Sequence, residues 1–333
     1  MWWKKSDTTS FEQDAKHRLE LLGGDGIHLS IDQLLAYRSK VSLINLAPRK
    51  NVQSHLSGNY LARSKGRGME FDEVRHYQAG DDIRAIDWRV TARTGKTHTK
   101  LFKEEVERPV LIAVDLGQTM YFGSELMFKS VQACHLGALI AWHANSRGDR
   151  VGGLVFHEQN HVELKPQSRQ HGVLHYLHAL DELHQQGLDL WHHKPAYQQQ
   201  YFIDNINRLC QLAKPGALVY VITDGYHVND DVMLALRNIN QHCELVVCHV
   251  DDPLEHRLPA VGQKSSVMIT DGEHSQPLLL GDKTIAQQYK QRATDIHKQK
   301  RAYYQRAGAR VTHISANELL EQQLKQGLET WIR

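Results

Sequence analysis

Three stretches of this 333-residue chain are apolar almost without interruption: Pro109-Val-Leu-Ile-Ala-Val114, Ala217-Leu-Val-Tyr-Val-Ile222 and Glu244-Leu-Val-Val-Cys-His-Val250. A strand with one face in water alternates polar and apolar residues. A continuous run is buried on both faces, as in a parallel sheet covered by helices on either side. Helical stretches lie between and after these runs, at Phe128–Asn145, Gln170–Leu183, Tyr201–Leu212, Asp230–Asn240 and Ile285–Ala307. Strands alternating with helices predict a doubly wound α/β fold with a mostly parallel sheet.

The rest of the chain is placed around that core. Asp149–Phe156 reads as a second strand, His161–Leu164 as a short edge strand and Arg310–Ile314 as the last strand, before a final helix at Glu318–Trp331. The helix at Phe128–Asn145 shows Val131, Leu136, Leu139 and Ile140 on one side. Alternation between Val261 and Leu280 around Asp271-Gly272 predicts a β-hairpin, an insertion at about 258–282. Upstream, a weak helical pattern spans Phe11–Leu22, and Ser30 or Asp32 is placed to cap a helix running toward Leu46. Residues 51–108 are rich in glycine and charge, and read as short strands and loops with a strand near Thr97–Phe102. The expected division is a smaller N-terminal helix, strand and loop region at 1–108 and an α/β domain at 109–333.

Charge and composition narrow the function. The net charge of +2 excludes a polyelectrolyte binder, although Arg38–Arg108 carries fifteen Lys/Arg against nine Asp/Glu and Lys290–Arg310 is a second basic run. A solvated basic face is the plainer reading of both, so nucleic acid is not the expected partner. The 22 histidines read as a composition bias that adds positive charge as pH falls. Cys134, Cys210, Cys243 and Cys248 lie in apolar periodic segments without a Cys-x-x-Cys pair, as reduced core residues do. Met1-Trp2-Trp3-Lys4-Lys5 lacks the apolar stretch of a signal peptide, and no segment approaches a membrane span. The expectation is a cytoplasmic protein without stable membrane insertion.

Ligands of such sheets bind beyond the carboxyl ends of the strands. Two apolar runs end there in aspartate: Asp115 in Asp115-Leu-Gly117-Gln-Thr119, and Asp224 in Thr223-Asp224-Gly225. An aspartate closing a strand either caps a loop or ligates. Two of them, one with a hydroxyl four residues on, point to an oxygen-ligand site for Mg²⁺ or Mn²⁺.

Asp115-x-Gly117-x-Thr119 resembles the Asp-x-Ser-x-Ser metal loop of von Willebrand factor A domains, and Thr223-Asp224-Gly225 resembles their later metal-loop aspartate. Gly148-Asp-Arg-Val-Gly152, followed by Leu154-Val-Phe156, resembles their second strand. The block Gly68–Arg93, with Arg75, Tyr77, Gly80, Asp81, Asp82, Arg84, Asp87, Trp88 and Arg93, is similar to the signature of the DUF58 family. The resemblance spans roughly residues 30–315. It implies a von Willebrand A (Rossmann-like) sheet with a metal-ion-dependent adhesion type of site at its carboxyl edge. Gly117 departs from the pattern by removing a ligating hydroxyl, and no threonine lies between Thr119 and Thr223 where a further ligand belongs. Ser168 is the nearest stand-in. The implied set is therefore degenerate: Asp115, Thr119, Ser168 and Asp224, holding Mg²⁺ or Mn²⁺ weakly if at all.

The signature block has its own physical reading. Gly66, Gly68 and Gly80 permit tight turns. Asp81, Asp82 and Asp87 among Arg75, Arg84, Arg89 and Arg93 suggest ion pairs and caps rather than a catalytic dyad, with Ile86 and Trp88 as apolar anchors. Arg147-Gly-Asp149 opens a buried strand, Ser64-Lys-Gly-Arg-Gly lacks a P-loop ending, and His192-His193 reads as a surface pair in a loop. The expected function is a non-enzymatic interaction module. The resemblance implies an adaptor or co-chaperone for a MoxR-type AAA+ ATPase and its client proteins. The rival is a metal-dependent hydrolase or nuclease using Asp115 and Asp224.

Overall fold

The computed structural model describes residues 15–43, 69–78, 80–104, 107–193, 200–259, 265–270 and 275–326. Gly66, Gly68, Ser64, Phe11, Leu46, Asp271, Gly272 and Trp331, all used above, lie outside the described residues.

The continuous apolar runs become the centre of a six-stranded sheet with strands β3 (Pro109–Asp115), β4 (Arg150–Phe156), β5 (His161–Gln167), β6 (Leu218–Thr223), β7 (Glu244–Asp251) and β10 (Arg310–Ser315). Their spatial order is β10-β7-β6-β3-β4-β5. All neighbours are parallel except β4 and β5, which pair antiparallel with Val151 opposite Gln167 and Phe156 opposite His161. Only β5 alternates half-buried with exposed residues along its length, as an edge strand does. The fold is thus α/β with a mostly parallel, Rossmann-like sheet. The chain enters at β3, winds outward through β4 and β5, and returns to β6 on the other side, so the switch point lies between β3 and β6.

Two apolar layers cover the sheet. One holds α4 (Lys129–Ser146) and α5 (Arg169–His193), and includes Val110, Ile112 and Val114 from β3. The other holds α6 (Tyr201–Leu212), α7 (Asp230–His242) and α8 (Lys283–Arg306), and includes Leu111 and Ala113. That alternation along one strand is the period-2 geometry of a sheet buried twice. Helix α4 is buried all round, not along the single stripe expected from Val131, Leu136, Leu139 and Ile140: fifteen of its 18 residues are inaccessible. Its outer side lies against α2 (Ile31–Ala36) and the 3₁₀ turn Tyr37–Leu43, with Leu34 and Tyr37 in the core and Trp142 Nε1 donating to the Leu34 carbonyl at 3.1 Å. Ser30 begins α2 through a capping box with Gln33. Asn229 caps α7 by accepting from Val232 N. His192 and His193 close α5 and are exposed, so they are helical rather than part of a loop. The helical segment α1 (15–22), the antiparallel pair β8 (Ser265–Thr270) and β9 (Ser275–Leu280), and α9 (Leu320–Gln326) complete this unit.

By contacts, the unit comprises Met1–Lys50 with Arg108–Arg333, and the second unit is Asn51–Glu107. That division differs from a boundary at 108 because residues 31–43 pack on α4. Within the second unit, β1 (Met69–His76) and β2 (His98–Glu104) pair antiparallel around α3 (Trp88–Thr94). Arg75 binds Asp81 at 2.6 Å, Asp82 caps the turn at Arg84, and Asp87 caps α3 through Arg89 N and Val90 N. Tyr77 donates its hydroxyl to the Asp81 carbonyl. Gly80 has φ +108, which an L side chain rarely adopts. The expected network forms only in part: Arg84, Arg89 and Arg93 are exposed, with no ion-pair partner among the described residues. Trp88, expected to be an anchor, is 67% exposed.

Candidate functional site at the carboxyl edge of the sheet

Asp115 and Asp224 end adjacent strands at the switch point, and both are buried. Asp115 accepts three hydrogen bonds. Gly117 N and the Tyr201 hydroxyl reach Oδ1, each at 3.0 Å, and the Thr223 hydroxyl reaches Oδ2 at 2.8 Å. Burial, with the Asp224 charge beside it, pushes its carboxyl up to about 7 despite these donors. Gly117 is part of the arrangement: a Cβ there would stand 2.0 Å from the Tyr201 hydroxyl oxygen. The Tyr201 hydroxyl, from the first residue of α6, thus fills the space that a side chain at position 117 would take.

Asp224 binds a cation that the chain itself provides. The ammonium of Lys129, the first residue of α4, sits 2.8 Å from Asp224 Oδ2 and 2.5 Å from Glu255 Oε1, with its side chain 2% exposed. Tyr226 N donates to Asp224 Oδ1, and Lys300 from α8 donates to the Asp224 carbonyl at 2.8 Å. Burial opposes the charge on Asp224, but Lys129 and Lys300 outweigh it and hold the carboxyl below the usual carboxylate range. Burial equally opposes the charge on Lys129, and Asp224 with Glu255 keeps it protonated well above an ordinary lysine. Glu158, also buried, accepts from Gln118 N at 2.7 Å, and burial raises its pKa. Asp252 binds the Ser124 backbone and hydroxyl, which fixes the loop after β3 to the loop after β7.

The four residues of the implied metal loop are not brought together. Ser168 follows β5, whose end lies beside Val151 at the start of β4, so it stands at the opposite edge of the sheet from Asp115. The antiparallel course of β5 is the reason. Thr119 lies in the turn Gln118–Met120 beside Asp115, and its buried hydroxyl has no partner among the described residues. With both Asp115 oxygens engaged and Asp224 paired to Lys129, this donor set does not fit Mg²⁺ or Mn²⁺. Lys129, Tyr201 and Glu255 carry the site and gave no local sign of it in sequence: a lysine opening a helix and a tyrosine after a polar loop read as surface residues. A different group, Asp251 with His249, His256, His297 and His313, gathers potential metal ligands at β7, β10 and the segments beside them.

A family model described as protein of unknown function DUF58 matches residues 73–301. The chain belongs to the DUF58 family. It is 26% identical over 233 residues to uncharacterized proteins of Mycobacterium bovis and Mycobacterium tuberculosis, a match covering 69% of this chain and 69% of each relative. Among solved structures, it is similar to a conserved hypothetical protein BatB from Bacteroides thetaiotaomicron at TM-score 0.40 and 16% identity, over 66% of this chain and 98% of that one. An aerotolerance-related membrane protein from Bacteroides fragilis, solved with multiple mutations to serine, matches at TM-score 0.35 and 17% identity, over 60% of this chain and 98% of that one. Among the described residues of this DUF58 protein, no helix is long and apolar enough to cross a membrane.

Proposed function

We propose that this DUF58 chain is a non-enzymatic docking module whose partner binds the carboxyl edge of the sheet, and that it serves a MoxR-type AAA+ ATPase as adaptor or co-chaperone for client proteins in the cytoplasm. The observation that carries the docking reading is the pairing of a closed polar centre with exposed aromatic rings. Phe122 and Tyr226 are 38% and 62% exposed and flank the Lys129–Asp224 pair, the Lys129 ammonium lying 5.9 Å from the Phe122 ring centroid. Aromatic side chains on a rigid rim are what protein interfaces use as anchors. Beneath them Asp115, Asp224 and Glu255 each have both carboxylate oxygens hydrogen-bonded, which argues against an open acid pair that activates water. A von Willebrand A type of domain is supported by the Asp115-x-Gly117-x-Thr119 loop ending β3 beside Thr223-Asp224-Gly225 ending β6, here with the metal's place taken by a lysine ammonium. The ATPase partner follows from the family resemblance.

The test is capture of the purified MoxR-type ATPase of the same genome by the full chain, with and without ATP. Capture by wild type, weakened in Phe122→Ala/Tyr226→Ala while the melting temperature holds, is expected. No capture, or equal capture by the variant, refutes the proposal. Turnover of nucleic acid with Mn²⁺ that Asp115→Asn abolishes would replace it with the hydrolase reading.

A further inference from the structure

Asp251 ends β7 with its side chain 1% exposed, yet only one of its two oxygens is used. Oδ2 faces the Nε2 atoms of both His256, from the turn after β7, and His313, from β10. Among the described residues, Oδ1 is buried without a hydrogen-bond partner. A buried carboxylate oxygen left without a donor is costly, and such groups in native proteins ask for an explanation. Two more imidazoles close the surroundings. His297 of α8 stacks on His256 with centroids 4.1 Å apart, its own Nδ1 buried without a partner among the described residues. His249, two residues before Asp251 on the same strand, is fully buried, its ring centroid 5.9 Å from that of His297. Asp251, His256 and His313 each offer a ligand atom within 4.8 Å of the others, and Asp251, His249 and His297 do the same.

We infer that Asp251, His256 and His313 form a binding site for a divalent transition-metal ion, with zinc the best fit, and that His297 and His249 line its inner wall. Imidazole nitrogen with one carboxylate oxygen is a donor set for zinc and its neighbours rather than for Mg²⁺ or Ca²⁺, which take oxygen shells. Two imidazoles and a carboxylate make three protein ligands and leave a fourth position. That position has access to solvent, because the His256 and His313 side chains are 40% and 21% exposed. Lys300, one turn along α8 from His297, directs its ammonium to the Asp224 carbonyl. The ligands come from the turn at Pro253–Glu255 and its neighbour, from β7 and from β10, so a bound ion would tie these three segments together. None of these residues belongs to the docking surface, and the two readings stand or fall separately.

The experiment uses the full chain without a histidine tag, stripped with a chelator and titrated with Zn²⁺ by calorimetry, and with Co²⁺ by visible absorption. The expected result is one tight equivalent of Zn²⁺, and an intense cobalt spectrum of low coordination number. His256→Gln/His313→Gln should weaken that equivalent by about 100-fold or more, beyond the effect of losing a supporting residue. The exposed pair variant His192→Gln/His193→Gln should retain it. Binding no tighter than in the His256→Gln/His313→Gln variant overturns the inference, and so does a cobalt spectrum of the aqueous ion. Asp251 then only accepts hydrogen bonds from two imidazoles. The wild-type cobalt spectrum needs no variant, so the test survives a variant that fails to fold.

Discussion

Replacing Lys129 with methionine is the sharpest probe of the carboxyl edge. The side chains are similar in length, so packing changes little, but Asp224 and Glu255 lose their shared cation. At an effective dielectric of about 20 the 2.8 Å contact to Asp224 corresponds to roughly 6 kcal/mol of gross attraction, most of it offset by desolvation of the two charges. What the variant exposes is the uncompensated Asp224 carboxylate. Loss of one partner from a buried pair costs about 3–5 kcal/mol. Glu255, whose side chain is 29% exposed, has access to water and adds little to that figure. Urea unfolding followed by tryptophan fluorescence at pH 7 measures the cost. The double variant Lys129→Met/Asp224→Asn removes both charges. The amide oxygen it introduces can still accept from Tyr226 N, so the double variant should recover most of the loss. A single variant within about 0.5 kcal/mol of wild type, the range of an ordinary surface change, would refute the reasoning. So would a double variant no more stable than the single one.

Other expectations follow from the same geometry. The folded Asp115 carboxyl holds its proton up to about pH 7, whereas the unfolded one loses it near 3.8. Between these values the folded state binds more protons, so Asp115 lowers stability as pH rises through that window. A span of about three pH units corresponds to a drop of up to about 4 kcal/mol between roughly pH 4 and 7. Asp115→Asn should remove this slope from urea unfolding curves, and parallel curves for the two proteins would sink the assignment. Gly117→Ser should lower the melting temperature by driving a Cβ into Tyr201, and should be better tolerated beside Tyr201→Ala; equal losses in both backgrounds would show that the close approach is not what selects glycine. Leu34→Ala should cost about 2–5 kcal/mol, as deletion within a packed core does, and a negligible change would mean that residues 31–43 do not close the outer side of α4.

Local pattern determined much of this protein. Uninterrupted apolar runs announced β3, β6 and β7, because only a strand buried on both faces excludes polar residues from both parities. The ends of those runs put Asp115 and Asp224 at the carboxyl ends of buried strands, whose adjacency only the sheet order shows, and the Tyr201–Leu212 periodicity matched α6. The block from Gly68 to Arg93 pointed to the family. Tertiary structure decided the chemistry. Asp115 finds Tyr201 86 positions away and Thr223 108 positions away, and periodicity encodes burial without encoding such pairings. Ser168 was assigned to the wrong edge because an edge strand looks alike in sequence whether it runs parallel or antiparallel to its neighbour. Lys129 at a helix start reads as a surface residue. It becomes a buried cation only because Asp224 and Glu255 arrive from other strands' ends, and charge pairing over that span is a property of the assembled sheet.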